Sequence, residues 1–266
     1  MIDWAALIEQ DFAVPDDLDA AVEELLAMLA AADPVVRDDR AYMVLVTWIR
    51  RGVLDGRLAA VGAEMEERLG HPEVQARTFA PLILAAAVDR DTAADLLDPP
   101  TVHRWRDAFA AWWPAETDIR GWDDSLGWLH AIAHGADLAG ALGASPRLSA
   151  DELADLLRLV GERVVSDTGY RYAHMEEDRV ARAVARILAR PQLPAAGAIG
   201  WLDPVGRLFA AGGPGPLPIP VANTLAVLRA TYVMADRREL PHRTAVTDAI
   251  AASLHEAFGA YPAVRE

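Results

Sequence analysis

The chain has no cysteine and, read letter by letter, no lysine. Without cysteine there is no disulfide framework, no thiolate nucleophile and no cysteine zinc site. Without lysine there is no Schiff-base amine and no phosphate-loop lysine. Positive charge is also scarce. The 25 basic residues, all arginine, face 40 acidic ones, for a net charge of -15 and an isoelectric point near 4.8. Such a surface argues against duplex nucleic-acid binding, which needs cations to neutralise phosphates. It argues equally against docking on an anionic membrane.

Long hydrophobic runs are missing too. Mean hydropathy is +0.11 and 53% of residues are hydrophobic, largely through alanine. Yet no stretch of about 18 apolar residues escapes a charge. The longest run, Phe79 to Val88, is short and contains Pro81. The opening Met1-Ile2-Asp3-Trp4 lacks the basic stretch and apolar core of a signal peptide. A cytoplasmic protein is the expectation.

Strand alternation is nearly absent, whereas helical periodicity runs through most of the 266 residues. The pattern predicts helices over Asp17 to Ala31, from Asp33-Pro34 to Arg51, and over Asp55 to Leu69. It predicts another from His71-Pro72 through Val88, kinked at Pro81. Further helices are expected at Thr101 to Trp113, Asp124 to Leu142, Ser149 to Ser166 and Glu176 to Arg190. Ser149 with Glu152 three residues on forms a capping box. A Gly/Pro loop at Gly212 to Pro220 precedes two helices, Val221 to Asp236 and Thr244 to Phe258. Those two have too little apolar surface to stand alone, so residues 1–266 read as a single all-helical domain. Asp33-Pro34-Val35-Val36-Arg37 resembles His71-Pro72-Glu73-Val74-Gln75, 38 residues later. That spacing suits stacked helix pairs of the HEAT or armadillo kind, an α-solenoid, with an irregular helical bundle as the alternative.

The most informative stretch is Glu116 to Leu142. On a helical wheel, His130, His134 and Asp137 share one narrow arc, while Trp128, Leu129, Ile132 and several alanines cover the other sides. A mostly apolar helix with one His-His-Asp stripe admits three readings. The stripe faces solvent, or it ties helices together inside the core, or it lines a functional pocket. In the third reading, two imidazoles and a carboxylate form a candidate set for Zn, Fe(II) or Mn. The same groups also suit acid–base work without a metal. Ala131 stands where a His-Glu-x-x-His protease would carry glutamate, so that class is disfavoured. Glu116, Asp118 and Arg120 precede the stripe and alternate onto one side if extended. Arg120 is a candidate partner for Asp137 or Asp118. Glu177 falls among Val180, Ala181, Val184 and Leu188 on an apolar face, whereas Glu176 shares the solvated face with Arg179 and Arg182. A carboxylate aimed at a core needs a partner. Five tryptophans, Trp105, Trp112, Trp113, Trp122 and Trp128, crowd this region and read as core or groove rim, with a sugar or cationic ligand as another use.

Glu116-x-Asp118-x-Arg120-Gly121-Trp122, followed by Gly127-Trp128-Leu129-His130-Ala131-Ile132-Ala133-His134-Gly135-Ala136-Asp137-Leu138, resembles a bacterial family, the domain-of-unknown-function family 2785. Ala76-Arg77-Thr78-Phe79-Ala80-Pro81-Leu82 is similar to that family's Arg-Ser-Phe segment, with Thr78 in place of serine and Ala80-Pro81 departing from it. The resemblance covers about Pro72 to Arg190 and is weak after Pro191. It implies an all-helical, HEAT-like fold and brings no activity. Two functions stay open. One is a pocket for a small ligand or a divalent ion, extending to hydrolase-like chemistry. There His130, His134, Asp137 and Arg120 would act, walled by Glu116, Asp118, Glu177 and Trp128. The other is a helical-repeat module that binds a protein, with the same residues fastening helices.

Overall fold

A computed structural model describes residues 2–264. The fold is all-α, relieved by one short hairpin. The N-terminal helices are α1 (Trp4–Glu9), α2 (Leu18–Met28), α3 (Met43–Arg50) and α4 (Leu58–Arg68). The central ones are α5 (Val74–Ala94), α6 (Pro99–Ala115), α7 (Ala131–Ala144), α8 (Ala150–Val165) and α9 (Glu176–Leu188). Two short helices, α10 (Ala195–Gly200) and α11 (Asp203–Ala210), lead to α12 (Ile219–Asp236) and α13 (Arg243–Ala260).

Many boundaries follow local chemistry. Asp17 and Asp98 cap α2 and α6 by accepting from Ala20 N at 3.0 Å and Thr101 N at 3.1 Å. Pro99 and Pro100 fill the first turn of α6, where their missing N–H costs nothing. The predicted capping box is present: Ser149 Oγ accepts from Glu152 N, and Glu152 returns to Ser149 N at 2.8 Å. The sequence reading missed α1, α10 and α11, which at six to eight residues are too short to show a period.

Two departures shape the site. The segment before α3 is a π-helix, Val35–Tyr42, where an α-helix is expected. The expected helix from Asp124 instead begins at Ala131. Residues before it form a two-stranded antiparallel hairpin, β1 (Trp122–Asp123) and β2 (Gly127–Trp128), pairing Trp122 with Trp128. Gly127 has a positive φ of 71°, and a Cβ there would meet Pro34 at 2.9 Å. His130 is left-handed as well, with φ 48°. Two backbone reversals within four residues stop a helix from starting earlier.

Helix α7 sits at the centre. It packs against α5 and α9, and α9 packs in turn against α12. Only Asp137 among residues 131–143 is not fully enclosed. Gly135 lets α6 come close: a Cβ there would lie 2.1 Å from the indole nitrogen of Trp113. Trp113 uses that nitrogen to donate to Ala131 O at 3.1 Å. Helix α5 runs through buried Pro81 as one element.

Candidate functional site

A cleft of about 470 Å³ opens beside the N-terminal ends of α7 and α9. It is lined by His130, His134 and His174, and Phe79, Tyr42 and Trp128 supply aromatic walls. Asp38, Asp178, Arg179 and Arg182 add charge, and Leu82 and Met175 complete the lining.

The imidazoles are held by different devices. His134 projects from α7 and is buried. Its Nδ1 lies 2.9 Å from the carbonyl of Thr78 on α5. A carbonyl only accepts, so Nδ1 carries the proton and the other nitrogen does not. Thr78 lies in the turn before Pro81, which has no N–H to offer that turn. Phe79 meets the His134 ring edge-on, with centroids 5.1 Å apart. Burial drives the His134 pKa well below its ordinary value, reinforced by His130 and only partly offset by the Thr78 bond.

His130 is placed by its left-handed backbone and by the hairpin. Its N–H donates to Arg120 O at 3.0 Å, and its ring stacks on Trp128 with centroids 4.5 Å apart. Burial lowers its pKa to about 4 although Glu176 pulls the other way. The His130 and His134 rings stand nearly perpendicular, 5.7 Å apart. His174 lies 6.0 Å from His130.

Glu176 opens α9 and is wholly buried. Its carboxylate accepts from Tyr170 OH at 3.1 Å, Ala173 N at 3.0 Å and His174 N at 2.8 Å. Oε1 lies 3.7 Å from His130 Nε2. The wheel misassigned this pair of glutamates. Glu177, expected inward, is half-buried with one carboxylate oxygen enclosed and unbonded, while Glu176 is the enclosed side chain. A wheel assumes that the side chain continues the helix, but Met175 at φ 64° turns the chain and lets Glu176 fold back over its own N-terminus.

The π-helix supplies the opposite wall, and nothing in a period analysis pointed to it. Arg37, fully buried, donates to Leu126 O at 2.6 Å and to Trp128 O at 3.3 Å, and lies over the Phe79 ring. Asp38 pairs with Arg37 at 2.7 Å. Burial raises the Asp38 pKa to about 6, opposed by Arg37. Asp38 and Tyr42, four residues apart on this helix, both line the cleft.

The other sequence candidates lie elsewhere. Asp137 does not join the imidazoles, because Arg179 takes both its oxygens, one at 2.8 Å. Arg120 bonds Asp118 and Asp123, the first of its expected partners but not Asp137. Glu116 is buried behind the cleft, where Arg77 Nε donates at 2.6 Å, Trp112 at 3.2 Å and Asp118 N at 2.9 Å. Among the described residues no group of three or more His, Asp or Glu is placed to hold a metal ion. The His130, His134 and Asp137 set falls short because His130 precedes the helix and Asp137 is engaged by Arg179.

A family model described as protein of unknown function (DUF2785) matches residues 63–233. The chain belongs to this family. The match spans the three histidines, Glu176 and the two cleft arginines, and omits the π-helix. Comparison with curated proteins gives no match, nor does comparison with solved structures. No helix among the described residues is long and apolar enough to cross a membrane.

Proposed function

We propose that this chain binds a small molecule in the cleft, with His130 and His134 as the groups that take or give protons there. One observation carries the reading: two imidazoles kept uncharged by burial share a cleft with three aromatic side chains. The cleft volume lies within the range of small-ligand sites. Hydrolase-like chemistry is the enzymatic form of this proposal. Asp38, titrating near 6, would then be an acid–base partner close to neutral pH. A metal-ion form would need a ligand beyond the described side chains. The stacked helix-pair architecture belongs to the proposal too, supported by the α5, α7, α9 and α12 succession of neighbours.

A protein-interaction module is the second reading. It is favoured by Trp122 and Met175, which stand 44% and 64% exposed near the cleft mouth.

A thermal-shift screen of a small-metabolite library on wild-type protein and on Trp128→Ala tests the first reading. Some compounds should raise the wild-type melting temperature by about 2 °C or more and lose that effect in the variant. No shift with any compound, together with a loss of several degrees in both His134→Gln and Asp137→Asn, overturns it. These polar groups would then be fastenings between helices.

A further inference from the structure

We infer that the cleft selects an uncharged flat ring bearing N–H or O–H donors, because two of its imidazoles present unprotonated nitrogens. This rests on the small-molecule reading above and narrows it to a chemical class.

The argument starts from where the protons sit. His134 Nδ1–H donates to Thr78 O at 2.9 Å, so Nε2 is a bare acceptor. His130 is arranged in the opposite sense. Its Nε2 is enclosed and makes no hydrogen bond. Glu176 Oε1 is 3.7 Å from that nitrogen. A carboxylate facing one imidazole nitrogen favours the proton there, leaving the lone pair on the other, Nδ1. Glu176 is fixed in this duty by three donors, from Tyr170, Ala173 and His174. It is a positioning residue acting through His130. Gly121 reserves the space: a Cβ there would meet Glu176 Oε1 and Tyr170 OH, each at 2.7 Å.

The surroundings exclude other classes. Two bare nitrogens on rings 5.7 Å apart offer acceptors and no donor to a bound molecule. An acceptor-only ligand would leave both unpaired, at a cost of about 1–3 kcal/mol each. Trp128, Phe79 and Tyr42 give the cleft an aromatic lining suited to a flat ring. Charges balance as well. Arg37 answers Asp38, Asp137 answers Arg179, and Asp178 and Arg182 carry opposite signs. A ligand with strong net charge would therefore find no excess of the opposite sign.

The test uses the full chain, labelled with ¹⁵N at histidine, at pH 7. Imidazole nitrogen shifts should report His134 protonated at Nδ1 and His130 protonated at Nε2. A protonated His130 Nδ1 or His134 Nε2 overturns the inference without any variant. Adenine and its donor-free analogue N6,N6,9-trimethyladenine are then titrated. Adenine should move the two unprotonated nitrogens and bind roughly tenfold or more tightly than the analogue. Equal binding, tighter binding of the analogue, or no binding of either overturns the inference. If library compounds still bind while adenine does not, the small-molecule reading survives and only the donor-ring class falls. In Glu176→Gln, His130 should shift towards a mixture of tautomers while His134 keeps its own. Tyr170→Phe, which removes one donor to Glu176, should do the same more weakly. An unchanged His130 in a folded Glu176→Gln protein removes Glu176 from the account.

Discussion

Arg37 on the π-helix donates to the carbonyl of Leu126 at 2.6 Å, joining two segments 89 positions apart. The same guanidinium reaches Trp128 O and covers the Phe79 ring. It therefore holds the hairpin, the π-helix and α5 in one arrangement.

Arg37→Met keeps much of the volume and removes the donors. Asp38 and the carbonyls of Ala31, Ala32, Leu126 and Trp128 lose a partner, at a cost of about 3–5 kcal/mol for breaking a buried pair. For a chain of this length that is roughly a 6–15 °C fall in melting temperature. Arg37→Lys should recover little, because one ammonium cannot span these carbonyls and the carboxylate. Calorimetry of the two variants measures this. Wild-type stability in Arg37→Met would mean the hairpin is held without it.

Acid should destabilise the protein well before its surface carboxylates titrate. His130 falls from 6.5 to about 4 on folding, chiefly by burial, and His134 moves the same way. Between those pH values the unfolded chain binds more protons than the folded one, so stability rises with pH and is lost as pH drops from about 6.5 towards 4. His130 alone contributes up to about 3 kcal/mol over that span. Asp38 opposes this. Its pKa rises from 3.8 to about 6, so the folded chain binds its proton first, and that contribution is lost as pH rises through 6. Two histidines against one aspartate leave a net loss on acidification. Urea midpoints at pH 7, 6 and 5 should decline in order, and less steeply in His134→Phe. A midpoint that climbs towards pH 5 contradicts the assignment.

Gly135→Ala puts a methyl group into the Trp113 indole, at 2.1 Å from Nε1. Overpacking of this kind costs about 1–3 kcal/mol, and Trp113 fluorescence should change with it. Gly206 in α11 has nothing within 4 Å of its would-be Cβ. Gly206→Ala should stabilise by roughly 0.5–1 kcal/mol. Denaturation of the two variants should shift in opposite directions, and a matching sign in both would contradict the packing described at Gly135.

The all-helical class was legible because α8 and α12 carry long apolar periods, and because Ser149, Asp33-Pro34 and Gly70 mark starts and stops. His130, His134 and Trp128 were legible as polar or aromatic residues standing against an apolar background. Their companions were not. Arg179 and Arg182 look like an ordinary solvated stripe until α9 is set beside α7. Asp38 and Tyr42 sit on a segment whose π-helical form has no sequence period of its own. Asp137 shared the arc of the imidazoles, but an arc fixes direction only. The partner across the gap, Arg179, decides where its carboxylate goes.

The π-helix carries a final consequence, for tolerance to changes in chain length. Most surface helices accept a lost residue at a frayed end. Here a deletion between Val35 and Tyr42 would let the segment tighten towards an ordinary α-helix and shift the residues before the deletion relative to α3. Arg37 would then point away from Leu126, and Asp38 away from the cleft. The front wall of the cleft is thus sensitive to residue count as well as residue identity, and it lies outside the segment that defines the family.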